Sequence, residues 1–253
     1  MGERKGRRGV GFGSSMVLCV LGLATGCATH RPAAPAVMRA AHATAPVRID
    51  GVLDDPVWRT AQSCPLQLSL DNAGQSLAEG GRAWLAWDAS NLYVAVTFED
   101  SDIVAEGRED QLHHYSLGDL VEVFVKPADQ TWYWELYATP PGRKTSFWFP
   151  GRGRLGLPSC FAYTCGLRVA ATVDGTLNDW KDRDRSWSAE LAIPAADLTA
   201  PGGGFGPGSA WRVMVSRYNY SRYLPHVELS MAPALSRTDY HRYEDYAILE
   251  FEP

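Results

Sequence analysis

The chain has 253 residues, 45% of them hydrophobic and 21% charged, with a formal net charge of −5. That length and apolar content support one well-buried core and fall short of two. The acidic balance argues against nucleic acid or anionic lipid headgroups as partners, because it would repel their phosphates.

In chain order, the first stretch reads as an export signal. Arg4, Lys5, Arg7 and Arg8 form a basic n-region, and Val10 to Leu23 is apolar but too short and Gly-rich to span a bilayer. Leu23-Ala24-Thr25-Gly26-Cys27 has the form of a bacterial lipobox. On that reading residues 1–26 are a signal peptide and Cys27 is the lipidated mature N-terminus. The protein is then held at the bacterial envelope, at the outer membrane, facing the periplasm or the exterior. Removing residues 1–26 leaves 20 basic against 28 acidic residues, a net charge of −8. Residues 27–45 are Ala- and Pro-rich with little apolar periodicity and read as an extended tether, so the domain is expected over 46–253. Within it lie Cys64, Cys160 and Cys165, an odd number for an oxidising compartment. Cys160 and Cys165 are spaced to close a small loop, and pairing of Cys64 with either stays open.

The domain begins with a strand through Val47 and Ile49, an Asp50-Gly51 turn, and a short helical turn in which Asp54 caps, Pro56 takes an early position and Trp58 points inward. Strand-length apolar runs then recur between Gly, Pro, Asn and Asp: Leu66 to Leu70, Arg82 to Trp87, Leu92 to Glu99, Leu120 to Lys126, Thr131 to Ala138, Ser146 to Phe149, Gly166 to Ala171, Trp187 to Ile193, Ala210 to Tyr218 and Ala247 to Phe251. Pro194 stops the Trp187 strand and opens a helical turn to Leu198. A sustained 3.6-residue period is almost nowhere present. The expected fold class is therefore all-β: an antiparallel β-sandwich of two packed sheets with short helical turns.

Several of these segments, taken together, resemble the family 9 carbohydrate-binding modules. They are Val47 to Trp58, Trp87 to Val96, Gly118 to Val125, Trp132 to Ala138, Trp187 to Pro194 and Tyr240 to Leu249. The resemblance implies a non-catalytic domain that binds mono- or oligosaccharides between two aromatic walls at one edge of the fold, serving carbohydrate catabolism. It places one wall at Tyr240 and a ligand-contacting carboxylate at Glu122. The second wall falls on Ser116, where Tyr115 can take the role, and the position of a family arginine is held by Tyr137. His241 and Arg242 can compensate, and the His113-His114-Tyr115 loop is carried to the same edge. The expected sugar site is thus Tyr240, Glu122, Tyr115, His114, Tyr137 and Arg242. Family members can hold structural calcium, for which Asp100 and Asp102 offer hard oxygen ligands; the alternative is an ordinary Asx turn.

The residue types suit that chemistry, since aromatic rings cover the C–H faces of a sugar while carboxylates and amides bond its hydroxyl edges. A glycosidase would need a carboxylate pair, for which Asp119, Glu122 and Glu135 are available, but alternation puts Asp119 and Glu122 on opposite faces. No enzyme is expected. Two other readings compete. One is a haem or electron-transfer module with Met214, Met231 or His226 as axial ligands. The other is a degenerate scaffold that mediates protein contacts.

Overall fold

Alternation of β-branched and aromatic residues produces twelve strands among the residues described by the computed structural model, 35–253. They are β1 (Val37–His42), β2 (Cys64–Pro65), β3 (Gly81–Trp87), β4 (Asn91–Glu99), β5 (Leu120–Pro127), β6 (Tyr133–Ala138), β7 (Lys144–Phe149), β8 (Arg168–Asp174), β9 (Ser186–Pro194), β10 (Trp211–Asn219), β11 (Glu228–Ala232) and β12 (Ala247–Phe251). Two short helices, α1 (Pro158–Ala162) and α2 (Ala195–Thr199), each follow a proline or start on one. The expected signal peptide, lipobox and Cys27 lie outside the described residues.

The class is all-β, but the strands form one hydrogen-bonded sheet in the order β7-β6-β5-β10-β12-β1-β3-β4-β9-β8, with β11 added on β10 and β2 on β3. Two separate sheets were the expectation, and β1 is why there is one. It pairs in parallel with β12 on one side and β3 on the other, while the other pairings are antiparallel. Val37–His42 therefore belongs to the sheet and not to the tether expected over 27–45. Its alanines can pass for linker composition, yet Met38, Ala40 and Ala41 are buried.

The long sheet curls over one main core. Val121, Val123 and Val125 of β5, Trp134 and Leu136 of β6, and Val213 and Val215 of β10 pack in the same cluster as Leu85 of β3, Val94 and Val96 of β4, and Leu191 and Ile193 of β9. The outer face of each half is also covered. The segment around Val47, Val57 and Trp58 seals Ala86, Tyr93, Ala95 and Ala192 on one half. A second aromatic cluster, including Phe124, Tyr133, Tyr137, Phe147, Phe149, Met214, Tyr240 and Tyr246, covers the other. Buried on both faces, β5 reads as a nearly continuous apolar run.

Some local expectations are corrected by this packing. Val47 and Ile49 have no ladder partner, and within Leu66 to Leu70 the pairing is an isolated bridge from Gln67 to Met231, with the two-residue β2 just before it. Cys160 and Cys165 do not close a loop: the three cysteines are free thiols.

Candidate functional site

The period-two alternation that sends Val121, Val123 and Val125 into the main core turns Glu122 and Phe124 to the opposite face. On β6 the same rule sends Trp134 and Leu136 inward and Tyr133, Glu135 and Tyr137 outward, and on β7 it sends Phe147 and Phe149 outward. These outward residues share one face because Glu122 pairs with Tyr137, Phe124 with Glu135, and Glu135 with Phe147. Above them lies a cavity of ≈ 650 Å³, within the size range of small-molecule sites.

Glu122, Glu135, Tyr137 and Tyr218 line the cavity, with aromatic walls from Phe124, Phe147, Phe149 and Tyr240. The chain from Leu155 to Phe161 covers one side, and His113 and Tyr115 line another. The covering segment is held by Arg152, whose Nη1 donates to Glu244 Oε2 at 2.7 Å, and by Gln111, whose Nε2 donates to the Phe161 carbonyl at 2.6 Å. His113 stacks on Phe161 with centroids 4.3 Å apart and planes 15° apart.

Acidic groups at the base of this cavity form a connected network. Ser216 Oγ donates to Glu122 Oε2 at 3.1 Å, and the Tyr137 hydroxyl donates to Glu135 Oε1 in a very short bond. Glu135 Oε2 is buried and accepts no hydrogen bond. Its near neighbour His241 Nδ1 stands 3.8 Å away and 2.9 Å from the Tyr133 hydroxyl. Burial, reinforced by the neighbouring Glu135, pushes the Glu122 carboxyl well above the usual carboxylate range. Burial likewise pushes Glu135 up to about 8, partly offset by the Tyr137 hydroxyl. Burial lowers His241, which keeps its imidazole neutral. At neutral pH Glu135 therefore largely holds its proton.

A stability consequence follows with a definite sign. Glu135 takes up its proton far more readily in the folded chain than in the unfolded one, so its contribution is greatest below the ordinary glutamate range and is lost as pH rises toward 8. Glu135→Gln, a permanent mimic of the protonated acid, is expected to flatten the fall in Tm between pH 5 and pH 8. The gain at pH 8 should be on the order of 2 kcal/mol. Thermal unfolding across that range checks this; an unchanged slope would contradict it.

Of the residues expected at the sugar site, Tyr240, Glu122, Tyr115 and Tyr137 are brought together around this cavity. Tyr240 is a fixed wall, 6% exposed, with its hydroxyl 2.9 Å from the Arg217 carbonyl and 3.1 Å from that of Ser230. His114 and Arg242 are not brought to it. His114 points away, its Nδ1 2.7 Å from Thr145 Oγ1 and its Nε2 3.1 Å from the Glu109 carbonyl, and the preceding His113 faces the cavity instead. Arg242 donates from Nε to Asp245 Oδ2 at 2.9 Å. Ser116 serves its own turn, donating to the His113 carbonyl at 2.9 Å. Sequence reasoning gave Glu135 only a catalytic reading, although its place two residues before Tyr137 puts both on one strand face.

Asp100 and Asp102 do not fit a calcium ion. Asp100 Oδ2 accepts from Arg217 Nη2 at 2.8 Å and its Oδ1 from the Asp102 amide at 3.0 Å. Asp102 Oδ2 accepts from the Arg222 amide at 2.6 Å, with Arg222 Nη1 3.3 Å from Oδ1. The arginines already neutralise the charge a cation would need. Among the described residues no group of three or more His, Cys, Asp or Glu side chains is placed to hold a metal ion. Met214 and Met231 pack in the second cluster, His226 is exposed, and none of the three lines the cavity, so the haem candidates do not converge.

Comparison with known proteins bears on this geometry. Residues 49–137, which run from the Asp50-Gly51 turn through Glu122, Glu135 and Tyr137, match the family model for carbohydrate family 9 binding domain-like sequences. That segment of the chain is similar to this family. Solved structures resemble the domain over most of its length. One, from Bacteroides uniformis ATCC 8492 and provisionally described as carbohydrate-binding, has a TM-score of 0.65 at 12% identity, covering 87% of this chain and 100% of that one. A family 9 carbohydrate-binding module from Caldicellulosiruptor kristjanssonii in complex with cellotriose has a TM-score of 0.54 at 12% identity, covering 85% of this chain and 93% of that one. The module from the same organism in complex with glucose has a TM-score of 0.56 at 12% identity, with 85% and 95% covered. At that identity the likeness is one of fold. No curated protein matches the chain at a significant level.

Proposed function

We propose that this protein is a non-catalytic carbohydrate-binding protein whose site is the aromatic-walled cavity over β5, β6, β7 and β10. One observation carries the reading: flat aromatic faces and a hydrogen-bonding acidic base converge in one sugar-sized recess. Rings cover C–H faces while Glu122, Glu135 and Tyr137 serve hydroxyl edges. The family match across that region supports it, as do the glucose and cellotriose complexes of proteins with this fold. Short gluco- or cello-oligosaccharides are accordingly the first ligands to try.

The domain acts by binding alone. Hydrolysis would need two carboxyl groups flanking a scissile bond, whereas Glu122 and Glu135 stand side by side on adjacent strands and meet at Tyr137. The reading includes a lipid anchor at Cys27 that holds the protein at the bacterial envelope, resting on the Leu23 to Cys27 sequence. The reading also takes the two halves of the curled sheet as the two layers of a sandwich, supported by the core they share. A nucleic-acid partner is not part of it, given the acidic chain.

Isothermal titration with glucose, cellobiose and cellotriose tests the proposal. Tyr115 is 41% exposed and lines the cavity, so Tyr115→Ala removes a stacking surface at little cost to the fold. It is expected to weaken binding by about 1 kcal/mol, roughly fivefold to tenfold. Equal affinity in the variant would move the sugar away from this cavity, and no binding by the unaltered protein would end the proposal.

A further inference from the structure

We propose that this cavity prefers saccharides bearing a primary amine over their neutral and acidic counterparts. The inference rests on the carbohydrate reading above and names the class of sugar.

Histidines apart, the ionisable side chains that face the cavity from its base and rim are acids. Glu122 comes from β5, Glu135 from β6, and Asp239 from the segment before β12; no Lys or Arg is among the lining residues. Of the nearby cations, Arg237 pairs with Asp239 itself at 3.1 Å, which leaves Glu122 and Glu135 as the acids without a basic partner, and the others are engaged elsewhere. Arg152 pairs with Glu244 at 2.7 Å and lies over the Tyr243 ring, Lys126 Nζ donates to the Pro127 carbonyl at 2.7 Å, and Arg217 is held by Asp100 at 2.8 Å. From β7 the cavity receives Phe147 and Phe149, and from β10 Tyr218, none of them charged at neutral pH. The remaining titratable neighbours are His113 and His241, the second kept neutral by burial.

The second observation is the orphaned acceptor. Glu135 is 4% exposed and lines the cavity, and its Oε2 has no donor. A buried carboxyl oxygen without a partner costs free energy in either protonation state until a ligand pairs with it. A hydroxyl supplies one neutral donor. An ammonium supplies three with a full positive charge, and charge-assisted bonds of this kind are roughly twice as strong. The faces of Phe124, Tyr218 and Tyr240 would stabilise the same cation. A carboxylate-bearing sugar meets no cationic partner and faces the acids instead.

The proton balance gives the inference its own readout. The proton that Glu135 holds at pH 7 has to leave when an ammonium pairs with this carboxyl, so binding releases a proton to solvent while the amine stays protonated. Affinity for an amino sugar should rise with pH while Glu135 gives up its proton, until the amine itself deprotonates.

The test is isothermal titration of the protein with glucosamine, glucose, N-acetylglucosamine and glucuronate at pH 7, in two buffers of different ionisation enthalpy. Glucosamine is expected to bind about tenfold tighter than glucose, with an apparent enthalpy that changes between buffers. N-acetylglucosamine, which lacks the charge, and glucuronate should bind no better than glucose. In Glu135→Gln the glucosamine-to-glucose ratio should fall to near one. If glucose binds and glucosamine binds no tighter, the preference is wrong and the carbohydrate reading survives. A preference that persists undiminished in Glu135→Gln overturns the assignment to this carboxyl, and binding of none of the four overturns both.

Discussion

Tyr240→Ala is expected to lose on the order of 4 kcal/mol of folding stability, a larger effect than any it has on a ligand. The side chain is buried among Phe124 and Tyr218, with ring centroids at 6.3 and 5.7 Å, and it belongs to the cluster that seals the outer face of β5, β6 and β10. Its hydroxyl also serves the carbonyls of Arg217 and Ser230, which face each other as partners on β10 and β11. Truncation would open a void and strand polar atoms at once, so lost sugar binding in this variant would report a damaged fold. Tyr240→Phe separates the two roles. It keeps the wall of the cavity, gives up only the hydroxyl, and should cost about 1 to 2 kcal/mol with sugar affinity retained. Urea denaturation alongside titration reads both. A Tyr240→Ala protein of ordinary stability would mean that the ring lies at the surface as a mobile clamp.

The difference between these variants reflects what was readable in the sequence. The family resemblance named Glu122 and Tyr137, and period-two alternation puts Glu122 with Phe124 on one face of β5 and Tyr137 on one face of β6, because that geometry is local and holds whatever the tertiary setting. It reaches Glu135 by the same count. Alternation does not say whether an outward face meets water or a second cluster, so Tyr240 could be read as a loop wall free to move. The choice between His113 and His114 is made by a single turn of 3-10 helix over His114–Ser116 and by Thr145 and Glu109, which lie far from one another in sequence. The cover from Leu155 to Phe161 carries no period at all. β1 was missed for another reason: its parallel partners, β12 and β3, lie over 200 and about 45 residues away, and an Ala-rich strand has no propensity to announce itself.

The most legible stretch, Val47 to Trp58, turns out to hold the fold together on the half of the sheet that lacks the cavity, and its removal from one point is the other large effect. Glu190 of β9 is fully buried, and its two oxygens accept three hydrogen bonds: Oε2 from the amides of Asp50 at 3.0 Å and Gly51 at 2.9 Å, Oε1 from Trp58 Nε1 at 2.8 Å. The turn has no room to adjust. Gly51 sits at φ +83°, and a Cβ there would meet the Ala171 backbone at 2.7 Å. Glu190→Ala leaves three donors without an acceptor, those of Gly51 and Trp58 buried, and is expected to cost about 3 to 5 kcal/mol. Glu190→Gln should recover little, because one orientation of its amide turns an NH₂ donor toward two backbone N–H groups and the other turns it toward the indole N–H. Since none of these atoms lines the cavity, the fraction of Glu190→Ala that remains folded should bind sugar with unaltered affinity. Chemical denaturation gives the first number and titration at low temperature the second. A loss under 1 kcal/mol would show that the Asp50-Gly51 turn holds itself, and weakened binding by the folded fraction would mean that the two outer faces of the curled sheet are coupled through its core.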